Sequence, residues 1–339
     1  MKVDVILPLG ADVATASRVA QLAEHYGVRG VWASNFPAQR DPFMALMPAA
    51  LATREVRLGV MPYSPYEKHP VKLADSLLTL HDASHGRAMM LVGGLGKSAM
   101  RAMGLEPVRR VTAVRECVAI LRGCASGEPF SHHGELYQAG HYHAPWSPQP
   151  GPLLYVAANG PQMLGLAGEC ADAVMLSDIV EPHVPEVMQQ IGAGCERAGR
   201  SLARLPISNF FAWHIKKQRA AAIREARIEL VWRGALLRWH ISPYLEPDEI
   251  TYVEQNWNRF FDAFIRRDPT LAGVPAAIVD KLIDGLTFTG DETDVGRIAA
   301  RLRALERLGQ TEVALRLFEN PEDGVRGIGE WLLPALANA

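Results

Sequence analysis

Short, nearly unbroken apolar runs recur along the chain, at residues 3–10, 30–35, 56–62, 88–94 and 153–160, each ending in a Gly-, Pro- or Asn-bearing turn. Stretches with helical spacing follow them. Residues 12–26 place Val13, Ala16, Val19, Ala20, Leu22 and Ala23 on one face, with Gly27 as the closing cap. Asp41-Pro42 sets a capping acid before a first-turn proline for a helix over 43–53, and His69-Pro70 opens another that runs to about 83. Continuous apolar runs are the signature of strands buried on both faces, and their alternation with helices implies right-handed crossovers in a parallel sheet.

The rhythm continues with helices over 97–103, 107–121, 161–170 and 183–198, and strands over 173–176 and 207–215. After an interruption it closes with a helix over 291–308, a strand over 312–317 and a helix over 325–336. Eight strand–helix units predict a single (β/α)8 TIM barrel spanning residues 1–339, whose active site belongs at the C-terminal ends of the strands. Two segments depart from the rhythm. Residues 128–149, rich in His, Gly and Pro, are expected to form an irregular surface excursion. Residues 216–285, between strands seven and eight, carry Trp232, Trp239, Trp257, Tyr244, Tyr252, Phe260, Phe261 and Phe264. They predict a helical insertion, either over the barrel mouth or at a dimer surface.

Composition narrows the partners. The chain has 339 residues, 48% of them hydrophobic, and a net charge of −2, which gives no footprint for nucleic acid or an anionic membrane. No apolar stretch has the length of a membrane span, and Lys2 followed by Asp4 does not read as a signal peptide. Cys117, Cys124, Cys170 and Cys195 lack CxxC spacing, as expected of buried thiols in a reducing cytoplasm. His132, His133, His141 and His143 cluster in sequence, but only Glu135 supports them, so no metal site is expected.

Several segments, in order, carry a family likeness: Arg40-Asp41-Pro42-Phe43, Arg57-Leu58-Gly59 with Ser64-Pro65-Tyr66-Glu67-Lys68-His69-Pro70, Gly86-Arg87-Ala88 with Gly93-Gly94-Leu95-Gly96, and residues 157–168. Together they resemble the bacterial luciferase-like family of flavin- and deazaflavin-dependent oxidoreductases, and within it the methylenetetrahydromethanopterin reductase-like branch. The resemblance runs from the first strand to the last helix and weakens over 200–285. It implies a reversibly bound cofactor, the deazaflavin coenzyme F-420 or FMN, a small-molecule substrate, a homodimer and, for the FMN case, a separate flavin reductase as partner. It also implies a cis peptide at Met61–Pro62, bulging against the cofactor ring beside Tyr63 and Ser64, and a phosphate end at Gly93, Gly94 and Gly96 with Ala157, Ala158, Asn159, Gly160, Pro161 and Gln162.

Residue chemistry bears on the same segments. Free N–H groups where a helix starts at Pro161 suit an anion, although Gly160 equally serves a tight strand–helix turn. Where many deazaflavin relatives have Asp-His after strand two, this chain has Asn35-Phe36, which can hydrogen-bond and stack but cannot exchange protons at neutral pH. His214, near the end of strand seven, is then the best-placed titratable candidate. Oxidoreduction, as hydride transfer or oxygenation, is the leading expectation. A non-catalytic flavin- or ligand-binding barrel is the alternative. A Schiff-base aldolase would need Lys68 or Lys216, and neither lies inside an apolar strand.

Overall fold

The computed structural model describes residues 1–94 and 96–338, and Leu95 of the Gly-rich segment lies outside them. Eleven strands are present among the described residues: β1 Lys2–Ile6, β2 Gly30–Ser34, β3 Arg57–Tyr63, β4 Ala88–Val92, β5 Phe130–His133, β6 Gln138–Tyr142, β7 Leu153–Ala157, β8 Ala173–Ser177, β9 Ile207–Ile215, β10 Thr287–Gly290 and β11 Glu312–Arg316. Parallel pairing runs β1-β2-β3-β4-β7-β8-β9-β11, and β11 pairs with β1, closing an eight-stranded parallel barrel. This is the (β/α)8 architecture, with helices between successive strands.

The helix starts follow their local chemistry. The Asp12 side chain accepts from the Thr15 N–H at 2.6 Å, Asp41 accepts from Met44 N–H at 3.0 Å ahead of Pro42, and His69 Nδ1 accepts from Val71 N–H at 3.3 Å ahead of Pro70. The helix expected from 107 begins instead at Arg110, because Arg109 adopts a left-handed conformation (φ 49°) that helical geometry cannot include.

Two differences from the sequence expectation stand out. Residues 128–149 are not wholly irregular, since β5 and β6 form an antiparallel hairpin there. Its strands are short and half exposed, so they lack the apolar run that marks the barrel strands. The other unexpected strand is β10, which pairs with the overhanging end of β9 at Ala212–Ile215.

The insertion is helical as expected, with helices Arg219–Glu229, Arg238–Ile241, Pro247–Gln255, Trp257–Arg266 and Ala276–Leu286. Leu230, Ile241, Val253, Phe260 and Leu282 build its own apolar cluster, which takes in Val180 from the loop after β8.

The barrel interior is filled, not hollow. Inward-facing Ile6, Trp32, Met61, Met89, Leu91, Tyr155, Ala173, Met175 and Ala314 pack together. Trp32 and Tyr155 meet edge to face with ring centroids 5.1 Å apart. Gly59 makes room for this, since a Cβ there would lie 2.2 Å from the Trp32 ring. Below the two aromatics, Arg29 pairs with the buried carboxylates of Asp4 and Glu312. Trp32 Nε1 donates to Asp4 at 2.9 Å and the Tyr155 hydroxyl donates to Glu312 at 2.8 Å. These bonds satisfy the buried carboxylates of Asp4 and Glu312.

Candidate functional site

Side chains alternate in and out along a strand. One step beyond the packed interior, this alternation brings Ser34, Gly93, Ala157, Ser177, Phe210 and Arg316 to the C-terminal mouth. The mouth is uneven. On the β4–β7 side its floor is Gly93 against Ala157, so close that a Cβ on Gly93 would lie 2.4 Å from that of Ala157. On the β8, β9 and β11 side it is built of charged and aromatic groups.

Between β2 and β3, Asn35 N–H bonds the Met61 carbonyl at 2.6 Å. The Asn35 side-chain amide donates to Glu67 at 2.6 Å and to the Pro62 carbonyl at 3.3 Å. Burial pushes the Glu67 carboxyl up to about 7, against the lowering pull of the Asn35 hydrogen bond. Phe36 is 39% exposed at the rim, whereas Tyr63 and Ser64 are buried. Burial also raises the Tyr63 phenol, to about 12, so it stays neutral.

Met61–Pro62 is a trans peptide, contrary to the expectation of a cis bond; the cis X–Pro bond among the described residues is Gln149–Pro150. The register of β3 against β4 shifts between Val60 and Tyr63. That bulge leaves a residue outside the ladder and so accommodates a proline, which has no N–H to give.

Ala158, Asn159, Gly160, Pro161 and Gln162 lie at the β7 turn and the start of the helix Pro161–Cys170. Asn159 clips β7 to β8, accepting from Ser177 N–H and donating to Ser177 O, both at 3.0 Å. No side chain caps the helix, and among the described residues a Cβ on Gly94, Gly96 or Gly160 would meet nothing within 4 Å. Gln162 also lines an open groove with Arg109, Arg110 and Thr112. Uncapped N–H groups, open space around the glycines and Arg110 suit the phosphate end of a flavin-type cofactor.

Across the barrel, Asp178 follows β8 and binds Arg233 of the insertion at 3.0 Å and Gly234 N–H at 3.1 Å. Arg233 and Arg316 both sit over the Phe210 ring, at 5.1 and 5.2 Å. His214 is inside this wall. Its Nδ1 meets Glu225 at 2.8 Å and its ring stacks on Phe318 at 4.4 Å. Burial lowers its pKa despite Glu225. Among the described residues, no group of three or more His, Cys, Asp or Glu side chains is placed to hold a metal ion, and no helix is long and apolar enough to cross a membrane.

A family model described as luciferase-like monooxygenase matches residues 2–312. The chain belongs to this family. A 5,10-methylenetetrahydromethanopterin reductase from Methanolobus tindarius is 26% identical over 322 residues, covering 93% of this chain and 94% of the relative. Among solved structures, the coenzyme F-420 dependent tetrahydromethanopterin reductase from Methanopyrus kandleri superposes with a TM-score of 0.84 at 20% identity, covering 99% of both chains. The oxygenating constituent of 3,6-diketocamphane monooxygenase from Pseudomonas putida, in complex with FMN, gives 0.68 at 18% identity, covering 98% of both. The fold is thus shared by luciferase-like proteins of both reductive and oxygenating kinds.

Against this luciferase-like frame, the structure brings Asn35, Met61, Pro62, Gly93 and Ala157 to one mouth, and Asn159 to Gln162 to its edge. It holds His214 behind Phe318. Sequence reasoning passed over Glu67, Asp178, Arg233 and Arg316. Glu67 lay inside a quoted segment, and its signal was an acid in the loop directly after a barrel strand. Arg316 had a signal too: a charge at the C-terminal end of a strand on the parity of inward-facing Ala314.

Proposed function

We propose that this luciferase-like chain is an oxidoreductase that reversibly binds coenzyme F-420, or alternatively FMN, across the barrel mouth and exchanges a hydride with a small organic substrate. The observation that carries the reading is a family match over nearly the whole barrel together with a mouth floored by Gly93 and Ala157 and edged by an uncapped helix start at Gly160–Gln162. Preference for the deazaflavin rests on the full-length likeness to a methylenetetrahydromethanopterin reductase together with the solved reductase described as coenzyme F-420 dependent.

In this reading the residues divide their tasks. The helix start at Pro161, with Gly94, Gly96 and Gly160, holds the phosphate end, and Arg110 adds positive charge beside it, Arg109 being paired with Glu135. Gly93, Ala157 and the Met61–Pro62 bulge seat the ring. When bound, the cofactor supplies the hydride chemistry. Glu67, held by Asn35, exchanges a proton near neutral pH, the role that Asn35-Phe36 cannot fill. Phe36 offers an aromatic face to a ring at the rim. An ionisable Glu67 at the mouth weakens the alternative of a binder without turnover. Met44 and Leu51, seven residues apart on the helix Pro42–Ala52 and 68% and 75% exposed, support a homodimer. The free cysteines, mostly buried, fit a reducing cytoplasm.

Separate fluorescence titrations with F-420 and FMN test the proposal. Tight binding of F-420 with weak FMN binding supports hydride transfer. The reverse supports an oxygenase served by a separate flavin reductase. Binding of neither overturns the cofactor assignment.

A further inference from the structure

Two guanidinium groups lean on Phe210, and among the described residues only one is paired with a carboxylate. Arg233 is 3% exposed and paired to Asp178. Arg316 donates to Ser34 Oγ at 2.9 Å, its Nε is buried without a hydrogen-bond partner, and among the described residues no carboxylate pairs with it. The nearby acids are otherwise engaged: Asp178 binds Arg233, Gly234 and Ser177, and Glu229 binds Arg267 at 2.6 Å. Around Phe210 the two cations therefore face one carboxylate within contact. Burial and Arg233 push the Arg316 guanidinium down to about 10, which leaves it cationic at neutral pH. An unsatisfied buried donor on a charged group is costly unless something completes it.

We propose that Arg316, with Ser34, binds a carboxylate carried by the substrate. This rests on the mouth being the active site, as argued above. Two observations support the assignment. Arg316 points inward from the end of β11, on the same alternation as Ala314, so it faces the mouth. Its Nε and Nη edge is the planar fork that pairs with a carboxylate through two bonds. The anion is a substrate's and not the cofactor phosphate, because β11 is three strands round the barrel from β7 and four from β4, where the phosphate end is assigned.

The test measures benzoate, benzamide and inorganic phosphate binding to the full chain by calorimetry and thermal shift, with and without saturating F-420 or FMN. Benzoate is expected to bind in both conditions and benzamide roughly tenfold more weakly or worse, since hydrogen bonds to a charged group are individually strong. Arg316→Gln should lose benzoate by a similar factor while keeping cofactor affinity. Arg316→Lys should fall between, because it keeps the charge but not the fork. Ser34→Ala, a milder change, should weaken benzoate alone.

Equal binding of benzoate and benzamide, or undiminished benzoate binding by both Arg316 variants, overturns the proposal. Displacement of benzoate by the cofactor reassigns Arg316 to the cofactor and also overturns it. Preference for phosphate over benzoate overturns the carboxylate class. A wild-type protein that binds neither F-420 nor FMN sinks the proposed function instead, and the benzoate measurement without cofactor is read independently.

Discussion

Asn35 and Glu67 join the loop after β2 to the loop after β3 through an amide–carboxylate contact of 2.6 Å at the edge of the barrel mouth. The pairing places a half-buried acid beside the one polar residue of the Asn35-Phe36 pair. It gives this chain a titrating group where its own residues after β2 supply none.

Glu67→Gln should remove a transition near pH 7 from the pH–rate profile and lower turnover by about a hundredfold, the lower range for a lost general acid or base. Stability should change too, with a definite sign. The folded carboxyl binds its proton up to about 7, whereas an unfolded one releases it near 4.5. Folding stability due to this group therefore falls as pH rises from about 4.5 to about 7 and is level above. Melting curves across that window should show a slope in the wild type that the Gln variant flattens.

The floor between β4 and β7 should not tolerate added volume. Gly93→Ala forces a methyl to within 2.4 Å of the Ala157 Cβ. Such overpacking costs about 1–3 kcal/mol. Ala157→Gly in the same chain should restore both melting temperature and cofactor affinity. A double variant no better than the single one would show that the two residues do not share the floor.

Arg29→Met should be strongly destabilising, by about 3–5 kcal/mol in urea unfolding, because it strands two buried carboxylates, Asp4 and Glu312, without their partner. Cofactor binding by the fraction still folded should be unchanged, since Trp32 and Tyr155 lie between this network and the mouth.

His214 should make the protein acid-sensitive. Burial holds its folded pKa below the ordinary 6.5, so the unfolded chain takes up the proton first, and stability is lost as pH falls below about 6.5. Glu225, held low by its hydrogen bonds to His214 and Lys216 in spite of burial, adds loss in the same direction at lower pH. His214→Asn should shallow the decline in melting temperature between pH 7 and pH 5.5.

The barrel strands were legible because burial on both faces leaves an apolar run that needs no knowledge of partners. β5, β6 and β10 were not, since their short strands are defined by what they pair with. The same distinction governs the site. The turns after β2, β3, β4 and β7 announce themselves by Asn, Pro and Gly. Asp178, Arg233 and Arg316 become a group only when a residue from the insertion meets the ends of β8 and β11, a contact spanning 55 residues in one pair. The Met61–Pro62 geometry failed in transfer for a local reason: a register shift already accommodates the proline, so no isomer change is needed to place it.

The Trp32–Tyr155 contact divides the barrel into two tiers. Beneath it lies an ionic plug that determines whether the chain folds; above it lies a surface that determines what the chain does. A change of polar side chain at the mouth leaves the ion pairs of the plug in place, whereas added volume at the Gly93–Ala157 floor is felt by the fold as well.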